Sequence, residues 1–168
     1  MQKDITYKTD NKKSRIVLIR EMGKAISGKN PVLLFSTSQI EEILNDINIY
    51  PAPFAPDYLL GFCLWHGQIM PVVDAAQRYD LETKNNVRTT NNTCYIVVKT
   101  VQNNGKANQL VQGILKLPKQ IVTTQIPESS SPGSIESYNI DQAIVKGIFE
   151  YQDDLMIVPD LLSIFNPK

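Results

Sequence analysis

Apolar residues along the chain come in short runs broken by turn formers, a pattern of many brief strands. Arg15 to Glu21 (RIVLIRE) and Pro31 to Ser36 (PVLLFS) are rich in Val, Ile, Leu and Phe. Gly23, Gly28 and Lys29-Asn30 separate them, so they read as two strands. From Ser38 the period changes. Ile40, Ile43, Leu44 and Ile47 recur at helical spacing behind a Ser38/Glu41 capping box, which predicts a helix that ends before Pro51, Pro53 and Pro56. Leu59 to Val73 (LLGFCLWHGQIMPVV) is two apolar runs divided by His66-Gly67-Gln68 and predicts a hairpin, with Pro71 restricting its second strand to an edge or a bulge.

Further along, residues 82 to 93 (ETKNNVRTTNNT) carry no periodicity and read as a loop or linker. Cys94 to Val101 and Leu110 to Leu117 flank Asn103-Asn104-Gly105 as a second hairpin, and Pro118 is expected to break its strand early. Residues 127 to 141 read as a second long polar loop. Ala143 to Tyr151 and Leu155 to Val158, joined at Asp153-Asp154, predict a third hairpin, after which Asp160 caps a short helix through Phe165.

Two of these hairpins read as copies of one unit. Gly61 to Asp74 (GFCLWHGQIMPVVD) aligns without a gap on Gly147 to Asp160 (GIFEYQDDLMIVPD), matching Gly61/Gly147, Trp65/Tyr151, Ile69/Leu155, Met70/Met156, Val72/Val158 and Asp74/Asp160. Both read strand, tight turn, strand, capping Asp. The repeat predicts two small, topologically related β-barrels sharing a core; a doubly wound sheet would need helices between its strands.

Composition then removes several kinds of chemistry. Lys+Arg and Asp+Glu are both 17, which gives no uniformly basic field for nucleic acid. Eight basic and three acidic residues fall in 1–29, so a mildly basic arm (1–14) precedes a mildly acidic body (15–168). Cys63, Cys94 and the sole histidine His66 are too few for a closed zinc site, and they suit a reducing compartment. Met1 to Lys13 lacks the apolar centre of a secretory signal and no run approaches the length of a membrane span, so the expected location is the cytoplasm. Any histidine-dependent catalysis would have to run through His66, and no nucleophile elbow or phosphate loop is present. Glu41-Glu42 and Asp153-Asp154 are sequence neighbours that point apart. The expectation is a protein that is not an enzyme and takes no cofactor.

The order Ile40-Glu41-Glu42-Ile43-Leu44, Pro51-Ala52-Pro53, Leu60-Gly61 and Trp65-His66-Gly67-Gln68 leading to Met70-Pro71-Val72-Val73-Asp74 resembles the CheW-like domain of bacterial chemosensory adaptors. Element order agrees from about Arg15 to Phe165. Gln112-Gly113, Leu117-Pro118-Lys119-Gln120 and Val158-Pro159-Asp160-Leu161 look more like the adaptors of type IV pilus (twitching motility) systems than the flagellar adaptor. The resemblance implies two five-stranded SH3-like barrels around a common hydrophobic core, with a few short helices. It implies a non-catalytic adaptor joining the cytoplasmic tip of a methyl-accepting chemoreceptor to the regulatory domain of a CheA-type histidine kinase, with no nucleic acid and no membrane insertion.

It also implies protein-binding roles for Ile40, Glu42, Ile43, Gly61, Trp65, His66 and Gln68, with Glu42 at the receptor groove between the barrels. For Ile40, Ile43 and Leu44 the plain alternative is core packing, for His66 and Gln68 simple solvation, and Trp65 suits a core or an interface equally. The sequence departs from the family at His66-Gly67, where an Arg-Gly pair is usual, and after Gly113, where a Val-Asp pair is missing. Two other readings compete: an SH3-like or OB-like module for oligonucleotide or a small ligand, which needs aromatic and basic residues interleaved on one face, and a small hydrolase built on Cys63 or Cys94 with His66.

Overall fold

The computed structural model describes residues 15–82 and 92–166; the expected basic arm and most of the 82–93 loop lie outside them. Eleven strands and two short helices follow in order: β1 (Arg15–Ile19), β2 (Asn30–Ser36), β3 (Ile40–Leu44), β4 (Leu59–Trp65), β5 (Gln68–Asp74), α1 (Ala75–Arg78), β6 (Thr93–Asn103), β7 (Asn108–Pro118), β8 (Ile121–Gln125), β9 (Ser131–Pro132), β10 (Val145–Tyr151), β11 (Asp154–Pro159) and α2 (Leu161–Phe165). They form two sheets, ordered β8-β1-β2-β11-β10-β9 and β3-β6-β7-β5-β4. The fold is mainly β with two barrel-like subdomains, in agreement with the expectation from the repeat and the resemblance.

The two halves exchange hairpins. β1–β2 joins β10–β11 through the parallel pairing of β2 with β11, and β6–β7 joins β4–β5 through the parallel pairing of β5 with β7. The repeat reappears in detail. Register shifts fall at Leu59/Gly61 and at Val145/Gly147, equivalent places in the two copies. The hairpin turns place equivalent residues in the left-handed region, His66 at φ 47° and Gln152 at φ 53°. Asp74 accepts from the Ala76 and Gln77 amides at the start of α1, and Asp160 accepts from Ser163 at the start of α2. Asp74 is buried and also receives Lys116 Nζ at 3.1 Å, so its charge is compensated.

Both faces of the inner strands are buried, which explains their unbroken apolar runs. Val17, Ile19, Leu33 and Phe35 turn to the large central core, where they join Val73, Ile96, Val98 and Leu115 of the other sheet. On the opposite faces, Ile16, Leu18, Val32, Leu34 and Met156 form one smaller cluster, and Cys63, Met70, Val72, Val97 and Ile114 form the other. The repeat-matched Met70 and Met156 occupy corresponding clusters.

Four expectations are corrected. Residues 40–44 are a strand, not a helix. The capping box is real but belongs to Ser36 and Gln39, around a single 3-10 turn at Thr37–Gln39. A bulge between Ile40 and Glu42 inserts one residue into the pairing with β6, and that breaks strand alternation into a spacing that imitates a helix. The ladder to Ile96, Val97 and Val98 outweighs local propensity. Secondly, β5 is an inner strand; Pro71 is tolerated because the β7 ladder begins only at Val72, so no amide is needed at residue 71. Thirdly, Pro118 does not shorten its strand, since β7 runs eleven residues and Pro118 is its last, opposite Thr93. Finally, 127–141 is no featureless loop: it carries β9 and a 3-10 turn at Ile135–Ser137, and Ile135, Tyr138 and Ile140 pack on the central core.

Candidate functional site: the β4–β5 hairpin and its neighbours

β3 and β4 are the two outer strands of one sheet, linked across its open side by a side-chain bond between Trp65 and Glu42 and by the chain that follows β3. The chain leaving β3 returns Tyr50 to β4, where Tyr50 and Phe62 exchange both backbone hydrogen bonds at 2.8 Å. Gly61 makes this approach possible. Its φ is 141°, and a Cβ there would lie 2.1 Å from the Tyr50 carbonyl oxygen.

At the hairpin tip the Trp65 indole Nε1–H donates to Glu42 Oε2 at 2.8 Å. His66 Nε2 stands 3.6 Å from the same oxygen, and the Trp65 and His66 rings are 4.2 Å apart at a 46° tilt. Three of the seven residues singled out in the sequence therefore meet: Glu42, Trp65 and His66. Trp65 seals the smaller cluster below and spends its one donor on Glu42, so it belongs to core and surface at once. Gln68 is exposed and pairs with Trp65 across the turn. Ile43 is 49% exposed and does not fill the core, whereas Ile40 packs half-buried on the central core. The neighbouring Glu41 turns elsewhere; it bridges to Lys99 at 3.3 Å and accepts from the Gln112 amide.

Sequence reasoning missed the outer face of this hairpin. Phe62, Leu64 and Ile69 are 39%, 64% and 75% exposed, and the register sets Leu64 opposite Ile69 and Phe62 opposite Pro71. Cys63 and Met70, on the other face, are buried. In the second copy of the repeat the counterparts of Phe62 and Ile69 are Ile148 and Leu155, both buried in the central core. No local pattern signalled this: Phe62, Cys63, Leu64 and Trp65 are an unbroken apolar run, which reads as a strand covered on both faces. Beside this face, Leu44, Ile47, Tyr50, Cys63, Leu64 and Trp65 line an open groove of about 360 Å³.

Nucleophilic chemistry finds no support here. Burial pushes the Cys63 and Cys94 thiols up, which lowers their thiolate fraction at neutral pH. Among the described residues no three His, Cys, Asp or Glu side chains gather in a way that could hold a metal ion. What the surface offers is exposed apolar area with a carboxylate and two rings at its end.

A family model for the CheW-like domain matches residues 27–168. The chain belongs to the CheW-like domain family. A crystal structure of the scaffolding protein TtCheW from Thermoanaerobacter tengcongensis is similar in fold, with a TM-score of 0.65 at 21% identity over 91% of this chain and 92% of that one. No curated protein matches the sequence. This CheW-like domain carries an imidazole at the hairpin tip, and the indole beside it supplies the hydrogen bond to Glu42.

Proposed function

We propose that this CheW-like domain is a non-catalytic adaptor that couples a methyl-accepting chemoreceptor to a CheA-type histidine kinase, in signalling that controls flagellar or type IV pilus motility. The observation that carries the reading is the bare apolar face of β4–β5. Phe62, Leu64 and Ile69 stand in solvent where the second copy of the same unit buries the counterparts of Phe62 and Ile69. We assign this face to the CheW-like regulatory domain of the kinase. Ile43, Glu42, Trp65, His66 and Gln68 are assigned to the receptor tip; Gly61 and Ile40 shape the surface from beneath.

An oligonucleotide reading would need cations interleaved with the exposed aromatics, yet no Lys or Arg occurs between Lys29 and Arg78. Calorimetric titration against the regulatory domain of the kinase from the same genome tests the adaptor reading. Binding in the micromolar range that Leu64→Lys abolishes supports it; no binding at tens of micromolar overturns it.

A further inference from the structure

The arch between Tyr50 and Tyr58 carries a feature that packing does not explain. Phe54 is 107% exposed, more than any other large apolar residue among those described, and its φ is 60°. A bulky side chain in the left-handed region is strained, and an exposed aromatic ring gains nothing from the fold in return. The arch holding it is rigid. Pro51, Pro53 and Pro56 fix three of its backbone angles, and the Leu59 amide closes a turn on the Pro56 carbonyl at 2.9 Å. One end is pinned by the Tyr50–Phe62 pair. The other is pinned by Tyr58, whose carbonyl accepts from the Asp74 amide and whose ring lies 4.7 Å under the Arg78 guanidinium.

The arch is continuous with the bare face of β4–β5. Tyr50 is 65% exposed and pairs with Phe62, so the apolar surface runs from Ile69 and Leu64 through Phe62 to the root of the arch. Within residues 30–77 the formal charges have one sign, and the cation at the foot of the arch, Arg78, is paired with Asp141 at 3.2 Å. Residues 30–77 hold five acidic residues, Glu41, Glu42, Asp46, Asp57 and Asp74, and no Lys or Arg. Lys99 and Lys116 offset Glu41 and Asp74. Glu42 accepts from the Trp65 indole and Asp46 from the Ile47 amide, neutral donors that leave both charges in place.

From this we infer that Phe54 is a pre-organised aromatic anchor that enters an apolar pocket on the protein docking against β4–β5, and that Lys and Arg side chains rim that pocket. The inference rests on the adaptor reading, with the kinase regulatory domain as occupant, and adds to it the residue that fixes the contact and the charge of the partner. A rigid anchor loses little freedom on binding, which is what makes such residues dominate an interface.

Phe54→Asn is the decisive variant, because Asn accepts the left-handed region and replaces the ring with a small amide. Affinity for the kinase regulatory domain is expected to fall roughly tenfold or more, the size of a hot-spot loss. The thermal midpoint is expected to hold or rise. Wild-type affinity should weaken as salt rises from about 50 to about 500 mM, mainly through slower association, while the deficit of Phe54→Asn persists at high salt. Unchanged affinity in Phe54→Asn, with Leu64→Lys still disruptive, overturns the anchor and leaves the adaptor reading standing. A lowered thermal midpoint overturns it too, since the ring would then be packing within the chain. Salt-independent association overturns the basic rim. A wild-type dimer in sedimentation that Phe54→Asn dissociates, with kinase affinity unaltered, reassigns the arch to a second copy and overturns the proposal. Failure of the wild type to bind the kinase domain overturns both readings.

Discussion

Trp65 and Glu42 sit on opposite outer strands of one sheet and are joined by a 2.8 Å hydrogen bond from indole to carboxylate. With the Tyr50–Phe62 pair, this bond draws β3 and β4 together and holds the carboxylate at the hairpin tip. Trp65→Phe keeps an aromatic ring and deletes the donor. The expected cost is about 1 kcal/mol of unfolding free energy, read from denaturant midpoints, since the acceptor stays partly solvated. A cost near zero would mean that Glu42 is held by the strand alone.

The duplicated hairpins allow a matched pair of substitutions. Gly61→Ala forces a Cβ against the Tyr50 carbonyl in a conformation alanine avoids, and is expected to destabilise by about 3 kcal/mol or to prevent folding. Gly147 occupies the same place in the other copy, where an added Cβ would meet nothing within 4 Å, so Gly147→Ala should stay within about 0.5 kcal/mol of wild type. Equal effects at the two positions would contradict the closure of β4 by Tyr50.

Gly113 lies beneath the ring of Phe165, and a Cβ there would come within 2.2 Å of it. Gly113→Ala is expected to cost about 1–3 kcal/mol by overpacking. Phe165→Leu in the same chain should recover part of that loss, giving a coupling of about 1 kcal/mol in a double-mutant cycle. Strict additivity would show that α2 does not seat on β7 as described.

Tyr138 donates to Glu150 Oε1 at 2.6 Å, and this bond to a carboxylate pushes the phenol up to about 12 from its usual 10. The folded value lies above the unfolded one, so the stabilisation is complete below pH 10 and is lost as pH rises through 12. The stability difference between wild type and Tyr138→Phe should therefore be constant from about pH 7 to about pH 9 and shrink between about pH 10 and about pH 12. A difference that grows over that window would contradict the bond.

Both thiols are raised by burial, so labelling by a disulfide reagent near neutral pH should be slow in the folded protein and fast in denaturant. Rapid reaction of Cys63 in the native state would reopen the hydrolase reading.

The repeat made the paired architecture legible, because Gly61, Met70, Val72 and Asp74 have partners at Gly147, Met156, Val158 and Asp160 that take equivalent places in the two hairpins. The strand at 40–44 was illegible for a physical reason: its bulge disguises the alternation, and the partner strand that overrides the helical spacing lies far along the chain, at Ile96 to Val98. At the site, family resemblance singled out Glu42, Trp65 and His66, but their contact depends on the link between β3 and β4 and no local pattern encodes it. The exposure of Phe62, Leu64 and Ile69 was hidden because an apolar strand reads as buried until its cover is known, and among the described residues nothing covers this copy of the unit.

A photo-crosslinker placed at single sites tests the central claim most directly. Benzophenone-bearing residues replace Ile69 on the bare face and, separately, the exposed Val122 of β8 on the other sheet. Irradiated with the kinase regulatory domain, the chain labelled at 69 should crosslink efficiently and the chain labelled at 122 should not. Crosslinking at 122 with none at 69 would contradict the assignment of this face as the docking surface.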